Sequence, residues 1–158
     1  MVEFEVVNSE VKLHKNLTKL DLFVIETISI LKKYTDYVLI SGYVSIFFGR
    51  ARATEDVDIF IDEISEEKFK QFYDEATSKG LEFNIDHWQD LYKEYLTADL
   101  SINLWRKNLP LIRLEIKIAK IHRLPDGGRL KAFVDISLSN KMLSLRPCFP
   151  GKCVFLLF

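Results

Sequence analysis

The chain has 158 residues, 48% of them hydrophobic and 13% aromatic, which is enough for one ordinary domain with a real core and short for two. With 22 Lys and Arg against 23 Asp and Glu the net charge is −1, so the overall charge selects no polyanionic partner and a nucleic-acid surface would have to be local. No apolar run reaches bilayer length, and MVEFEVVNSE lacks the basic start and small-residue cleavage site of a signal peptide, so the expectation is a cytoplasmic chain without a membrane partner.

Residues 17–34 place Leu17, Leu20, Val24, Ile28 and Leu31 on one stripe at helical spacing, followed by Lys32 and Lys33, which suit the negative end of a helix dipole. YVLIS (37–41) reads as a buried strand that turns at Ser41-Gly42 into a short helix-like segment, YVSIFFGR. A glycine turn opening a helix offers backbone N–H groups and a positive dipole end, which is where a phosphate would rest. EDVDIFID then alternates as a second strand. Asp56 and Asp58 project to one face, while Val57, Ile59 and Ile61 project to the other. Two carboxylates on one face repel unless a cation lies between them, and a hard divalent ion such as Mg²⁺ suits such oxygen ligands.

Ser65 followed by Glu66 and Glu67 is a helix start, Phe69, Phe72, Tyr73 and Ala76 form its buried stripe, and Lys79-Gly80 closes it. Residues 81–86 suit a short strand and HWQDLYKEYLTA a further helix. DLSINLW and IRLEIKIAK both alternate, with Asn108-Leu109-Pro110 as the turn of a hairpin. Pro125-Asp126-Gly127-Gly128 is a turn, and LKAFVDISL another strand. From Met142 the texture changes, and residues 142–158 read as an atypical tail: a last strand or a partner-docking end within the single domain 1–158. Cys148 and Cys153 in that tail read as reduced structural residues, and His14, His87 and His122 fall at no ligand spacing.

The order helix, apolar strand, Gly turn, short helix, and strand bearing Asp-x-Asp resembles the nucleotidyltransferases of the DNA polymerase β superfamily, in particular their minimal and toxin-like single-domain branch. Thirteen residues separate Gly42 from Asp56. The resemblance covers residues 17–62 and, by pattern alone, residues 99–119. It implies an α/β (α+β) fold with a mixed sheet flanked by helices. It also implies two Mg²⁺ ions, with Mn²⁺ as an alternative, an NTP such as ATP as donor, and transfer of NMP to a hydroxyl acceptor. Asp56 and Asp58 would hold the metal. Glu115 is the favoured third carboxylate, both metal ligand and catalytic group for the acceptor hydroxyl, because IRLEIKIAK puts Arg113, Glu115 and Lys117 on one face; Asp99 is the runner-up.

Nucleotide contacts would come from Ser41, Gly42 and Tyr43 at the turn and from Arg50, Arg52 and Thr54 before the aspartates. Here Ser41 stands at the first glycine of the family turn and Tyr43 follows Gly42 where a hydroxyl side chain is usual, which leaves phosphate contacts mainly to backbone N–H groups. The residues also admit plainer readings. Arg50 and Arg52 could neutralise the aspartates, Glu115 could belong to an exposed row of charge pairs, and Trp88, Tyr92, Tyr95 and Trp105 suit core packing better than base stacking. RNA ends, a protein hydroxyl and a small molecule all remain open as acceptor. The alternative function is an inactive module of the same fold that binds a nucleotide or partner, or a toxin–antitoxin component with a regulatory protein partner.

Overall fold

The first helix, α1 (Lys19–Leu31), is opened by a reciprocal cap. Thr18 is extended, and its hydroxyl accepts from the Asp21 N–H at 3.2 Å. Asp21 Oδ2 accepts in turn from the Thr18 N–H and hydroxyl, each at 2.8 Å. Two N–H groups that the helix geometry leaves without partners are thereby satisfied. The predicted stripe is present in Val24, Ile28 and Leu31, but Phe23, Thr27 and Ile30 are buried as well. Burial extends beyond one stripe because a second helix and a strand of a second sheet both adjoin α1.

The computed structural model describes residues 3–7, 10–14, 16–40, 43, 56–119, 134–139 and 142–147. The arrangement is α+β, centred on a mixed five-stranded sheet. Its strands lie in the order β3 (Tyr37–Ile40), β4 (Asp56–Ile61), β7 (Leu109–Ile118), β6 (Ile102–Arg106) and β5 (Leu81–Phe83). The β4–β7 pair is parallel and the other pairs are antiparallel. A parallel pair requires a crossover. Here the chain between β4 and β7 holds α2 (Glu66–Ser78), β5, α3 (Trp88–Asp90) with its π-helical continuation Leu91–Leu96, and β6.

Alternation along the strands puts Val57, Ile59, Ile61, Ile102, Leu104, Leu114 and Ile116 on one face, where they form a single core with α1, α2 and the π-helical turn. Aromatic rings fill its far side: Phe72 meets Phe83 edge-on at 6.0 Å, and Tyr73 stacks on Phe83 at 4.8 Å. No helix among the described residues is long and apolar enough to cross a membrane.

The second sheet was not anticipated from the N-terminal sequence. β1 (Glu3–Val7) and β2 (Glu10–His14) form a hairpin, and β9 (Met142–Pro147) inserts between β2 and β8 (Val134–Ser139), all antiparallel. The start of the expected tail is therefore an interior strand of this sheet, while Cys148, Cys153 and the remaining tail lie outside the described residues, as does the turn at Pro125–Gly128. β8 adjoins both α1 and β3.

The β6–β7 turn also differs from expectation. β7 begins at Leu109 and includes Pro110. Arg106 pairs with Leu109, but the next pair is Trp105 with Arg113, so Pro110, Leu111 and Ile112 bulge out unmatched. A proline is tolerated there because its missing N–H has no ladder bond to make.

α2 starts where Ser65 accepts from the Lys68 N–H at 3.3 Å and ends at Gly80, whose φ of 81° lies in the left-handed region. No atom lies within 4 Å of where a Gly80 side chain would begin, so the constraint is conformational. Gly80→Ala should cost about 1–2 kcal/mol in urea unfolding; a neutral result would contradict the helix end described. Near this end Glu75 binds Lys33 Nζ at 2.5 Å, the Tyr34 hydroxyl at 2.7 Å and Lys79 Nζ at 3.2 Å, joining α2 to the end of α1. Lys33 first, then Tyr34, hold the Glu75 carboxyl down to about 2. A depressed carboxyl stabilises the fold above its unfolded value and loses that contribution as pH falls through the folded value. Stability should therefore decline between about pH 4.5 and about 2, and less steeply in Glu75→Gln, as followed by thermal denaturation across that range. Parallel acid profiles for the two proteins would be the contrary outcome.

Candidate active site

The face of the five-stranded sheet opposite the core carries the candidate carboxylates. Because β4 and β7 run parallel in register, Asp56 stands beside Arg113, Asp58 beside Glu115 and Phe60 beside Lys117. On the next strand Asn103 stands beside Glu115 and Trp105 beside Arg113, and on β5 Glu82 stands beside Trp105. Two rows thus cross the sheet, one of Asp58, Glu115 and Asn103 and one of Asp56, Arg113, Trp105 and Glu82. Ser101, which precedes β6, hydrogen-bonds Glu115.

Asp58 and Glu115 are like charges on adjoining strands about 4.8 Å apart, an arrangement that costs energy unless a cation intervenes. The cation in this structure is Lys117, two residues along β7, whose Nζ lies 2.6 Å from Glu115 Oε1. The Lys117 ammonium, helped by Ser101, holds the Glu115 carboxyl below the usual carboxylate range although partial burial pushes the other way. Glu115 is thus ionised at neutral pH. Asp56 is exposed and Asp58 half-buried.

The donor chemistry fits a hard divalent ion: three carboxylates on two adjoining strands of one face supply only oxygen. The side-chain arrangement differs from a formed site. Among the described residues no group of three or more His, Cys, Asp or Glu side chains is gathered to hold a metal ion. Glu115 is turned onto Lys117, and an ion shared with Asp58 would have to take the place of that ammonium.

Asp99 stands apart from these rows. It lies in the turn that closes the π-helical segment, where Leu100 N–H reaches Tyr95 O at 2.8 Å, and its own φ is 64°. Asp is among the few residues that adopt this conformation readily, so Asp99 has a turn role and no register with Asp56 or Asp58.

Tyr43 is 1% exposed, and its hydroxyl donates to Asp21 Oδ1 at 3.0 Å. Burial first, then the Asp21 charge, push its ionisation well above the usual phenol value. The side chain is committed to the core, which leaves a nucleotide only its backbone. One buried carboxylate therefore caps α1 and anchors the segment just beyond β3. Ser41, Gly42, Arg50, Arg52 and Thr54 lie outside the described residues. Of the aromatic residues, Trp88, Tyr92 and Tyr95 pack against the core, whereas Trp105 is on the opposite face with its indole N–H donating to Glu82 at 3.1 Å.

Sequence reasoning had missed Asp21, Ser101 and Asn103. Thr18-x-x-Asp21 is a capping signal, and Ser101, Asn103 and Trp105 alternate with Ile102 and Leu104, so both were present in the pattern. Comparison with known protein families, curated proteins and solved structures finds no match for this chain.

Removing the ammonium in Lys117→Met should raise the Glu115 pKa, as followed by NMR of its side-chain carbon against pH. The sign follows from linkage: with a depressed pKa, Glu115 contributes stability above its unfolded value of about 4.3, lost as pH falls through the folded value. The variant should show less acid destabilisation from this group. An unchanged Glu115 titration would show that Lys117 is not what holds it.

Proposed function

We propose that the protein is a divalent-metal-dependent nucleotidyltransferase that moves NMP from an NTP to a hydroxyl acceptor. The observation that carries this reading is the register of β4 and β7, which sets Glu115 beside Asp58 with Asp56 two residues upstream on the same open face. The order of elements before Asp56, including the Ser41-Gly42 turn, supports it as a resemblance.

In the reaction the acceptor oxygen bonds to the α-phosphorus, the bond to the bridging oxygen breaks, and pyrophosphate leaves. Bound Mg²⁺ or Mn²⁺ would neutralise the triphosphate and the leaving group. Asp56 and Asp58 would hold the metal and so bring the donor to the sheet. Glu115, freed from Lys117, orients the acceptor hydroxyl and takes its proton. Its depressed pKa makes it a weak base while it is paired, so release of Lys117 also restores basicity. Lys117, once displaced, is a cation beside the phosphates.

A second reading is favoured by one observation: Glu115 is paired with Lys117 and Ser101. On that reading the face binds a nucleotide or a partner without turnover.

With saturating Mg²⁺ and NTP, linkage should raise stability by about 2.7 kcal/mol at a ligand concentration 100 times Kd, and Asp56→Asn with Asp58→Asn should abolish the accompanying rise in Tm. Incubation with labelled NTPs and cell extract identifies donor and acceptor. Glu115→Gln should lose transfer by about 10²- to 10⁴-fold, a larger effect than its loss of metal and NTP affinity in calorimetry. An equal Tm rise in the double variant removes the carboxylates from the site, and binding without transfer on any acceptor favours the second reading.

A further inference from the structure

Among the described residues Trp105, like Phe60 on β4, is an aromatic that stands outside the core on the opposite face of the sheet. Its neighbours along β6, Ile102 and Leu104, are fully buried in the core, yet Trp105 stands half-buried on the open face. Its N–H is bound to Glu82, which fixes the ring beside β5. On its other side is Arg113, exposed and without an ion pair among the described residues. Asn103, half-buried on the same strand, stands between Trp105 and the end of the face where Ser101 meets Glu115. From β4 to β6 is two strand spacings, about 10 Å.

The carboxylates therefore divide the face. Ile40, the last residue of β3, stands beside Asp58 on one side, and the chain continues from it into Ser41-Gly42. Glu115, Asn103 and Trp105 lie on the other side. On the nucleotidyltransferase reading the donor lies with Asp56 and Asp58 on β4, so the acceptor approaches over β7 and β6.

We propose that this second side is an acceptor subsite for a nucleoside, with the base stacked on Trp105, Asn103 within reach of a polar edge, and Arg113 beside the sugar or its phosphate. An aromatic on a sheet face with an amide and a guanidinium beside it matches a base, which has a π-face and hydrogen-bonding edges. The charge favours a single nucleoside or one terminal nucleotide over a long strand: among the described residues on this face Arg113 and Lys117 stand among Asp56, Asp58, Glu115 and Glu82, too few cations to follow a phosphate backbone. A peptide hydroxyl would make no use of the indole. The assignment of this side to the acceptor rests on the nucleotidyltransferase reading; the base site itself is tested without it.

The protein has two tryptophans, so Trp88→Phe leaves Trp105 as the sole indole reporter. Titrating that variant, without metal, with AMP, GMP, CMP or UMP should quench its fluorescence saturably, while ribose 5-phosphate should not. Trp105→Leu, checked for folding by circular dichroism, should weaken binding of the same nucleotide in calorimetry by about 5- to 150-fold, and Trp105→Phe by less. If Trp105→Leu does not fold, the single-indole titration decides alone. No quenching by any of the four nucleotides, or equal quenching by ribose 5-phosphate, overturns the subsite. Quenching that persists in a protein whose Asp56→Asn and Asp58→Asn changes leave the Mg²⁺–NTP Tm rise intact would retain the base site and reject the nucleotidyltransferase reading. Transfer to nucleoside acceptors with unchanged KM in Trp105→Leu would reject the subsite and keep the enzyme.

Discussion

Parallel pairing of β4 with β7 imposes one alternation on both strands, and the core and the site follow from it together. Val57 with Leu114 and Ile59 with Ile116 fall on the covered side, while Asp56 with Arg113 and Asp58 with Glu115 fall on the open side. A slip of one residue would move carboxylates into the core and aliphatic side chains to water, so burial of the apolar set holds the site's register. Hydrophobic burial thus offsets the cost of placing Asp58 against Glu115, and Lys117 reduces what remains. On the proposed function a divalent ion would have to displace the Lys117 ammonium from Glu115.

A second constraint works from the helix side. Asp21 is fully buried, and its two oxygens are divided between the Thr18 cap and the Tyr43 hydroxyl. Burying a carboxylate is tolerable only when such bonds replace its hydration. The arrangement ties the start of α1 to the residue two positions beyond Ser41, so the chain leaving β3 beside Asp58 has a fixed anchor on its far side. Arg106 supplies a comparable tie between β6 and α1 through Glu26.

Much of this was legible in the sequence because it depends on local chemistry. Ser65 and Gly80 bracket α2 through a cap and a left-handed residue, and the alternation of DVDIFI and RLEIKI assigns each strand's buried face without tertiary knowledge. The order of strands was not legible. That Glu115 stands beside Asp58, whereas Asp99 closes a turn, depends on which strands adjoin, a long-range choice made by core packing. Pro110 was read as a turn residue because proline usually interrupts strands, and the bulge that admits it arises only where β6 and β7 separate. Trp105 was grouped with Trp88, Tyr92 and Tyr95 by composition, and its separation from them required the sheet. The N-terminal hairpin is a local pairing of β1 with β2, whereas the sheet it joins was not legible because β2 pairs with β9 from the opposite end of the chain.

The proposed function requires Asp58 and Glu115 to share one ion. A double-mutant cycle on Mn²⁺ affinity, measured by electron paramagnetic resonance without nucleotide for Asp58→Asn, Glu115→Gln and both together, tests that directly. Shared ligation predicts non-additive losses, with the double variant little weaker than the worse single variant and a coupling of about 0.5–3 kcal/mol. Strictly additive losses, or affinity unchanged by either substitution, would mean that the two carboxylates face each other across β4 and β7 without forming a site.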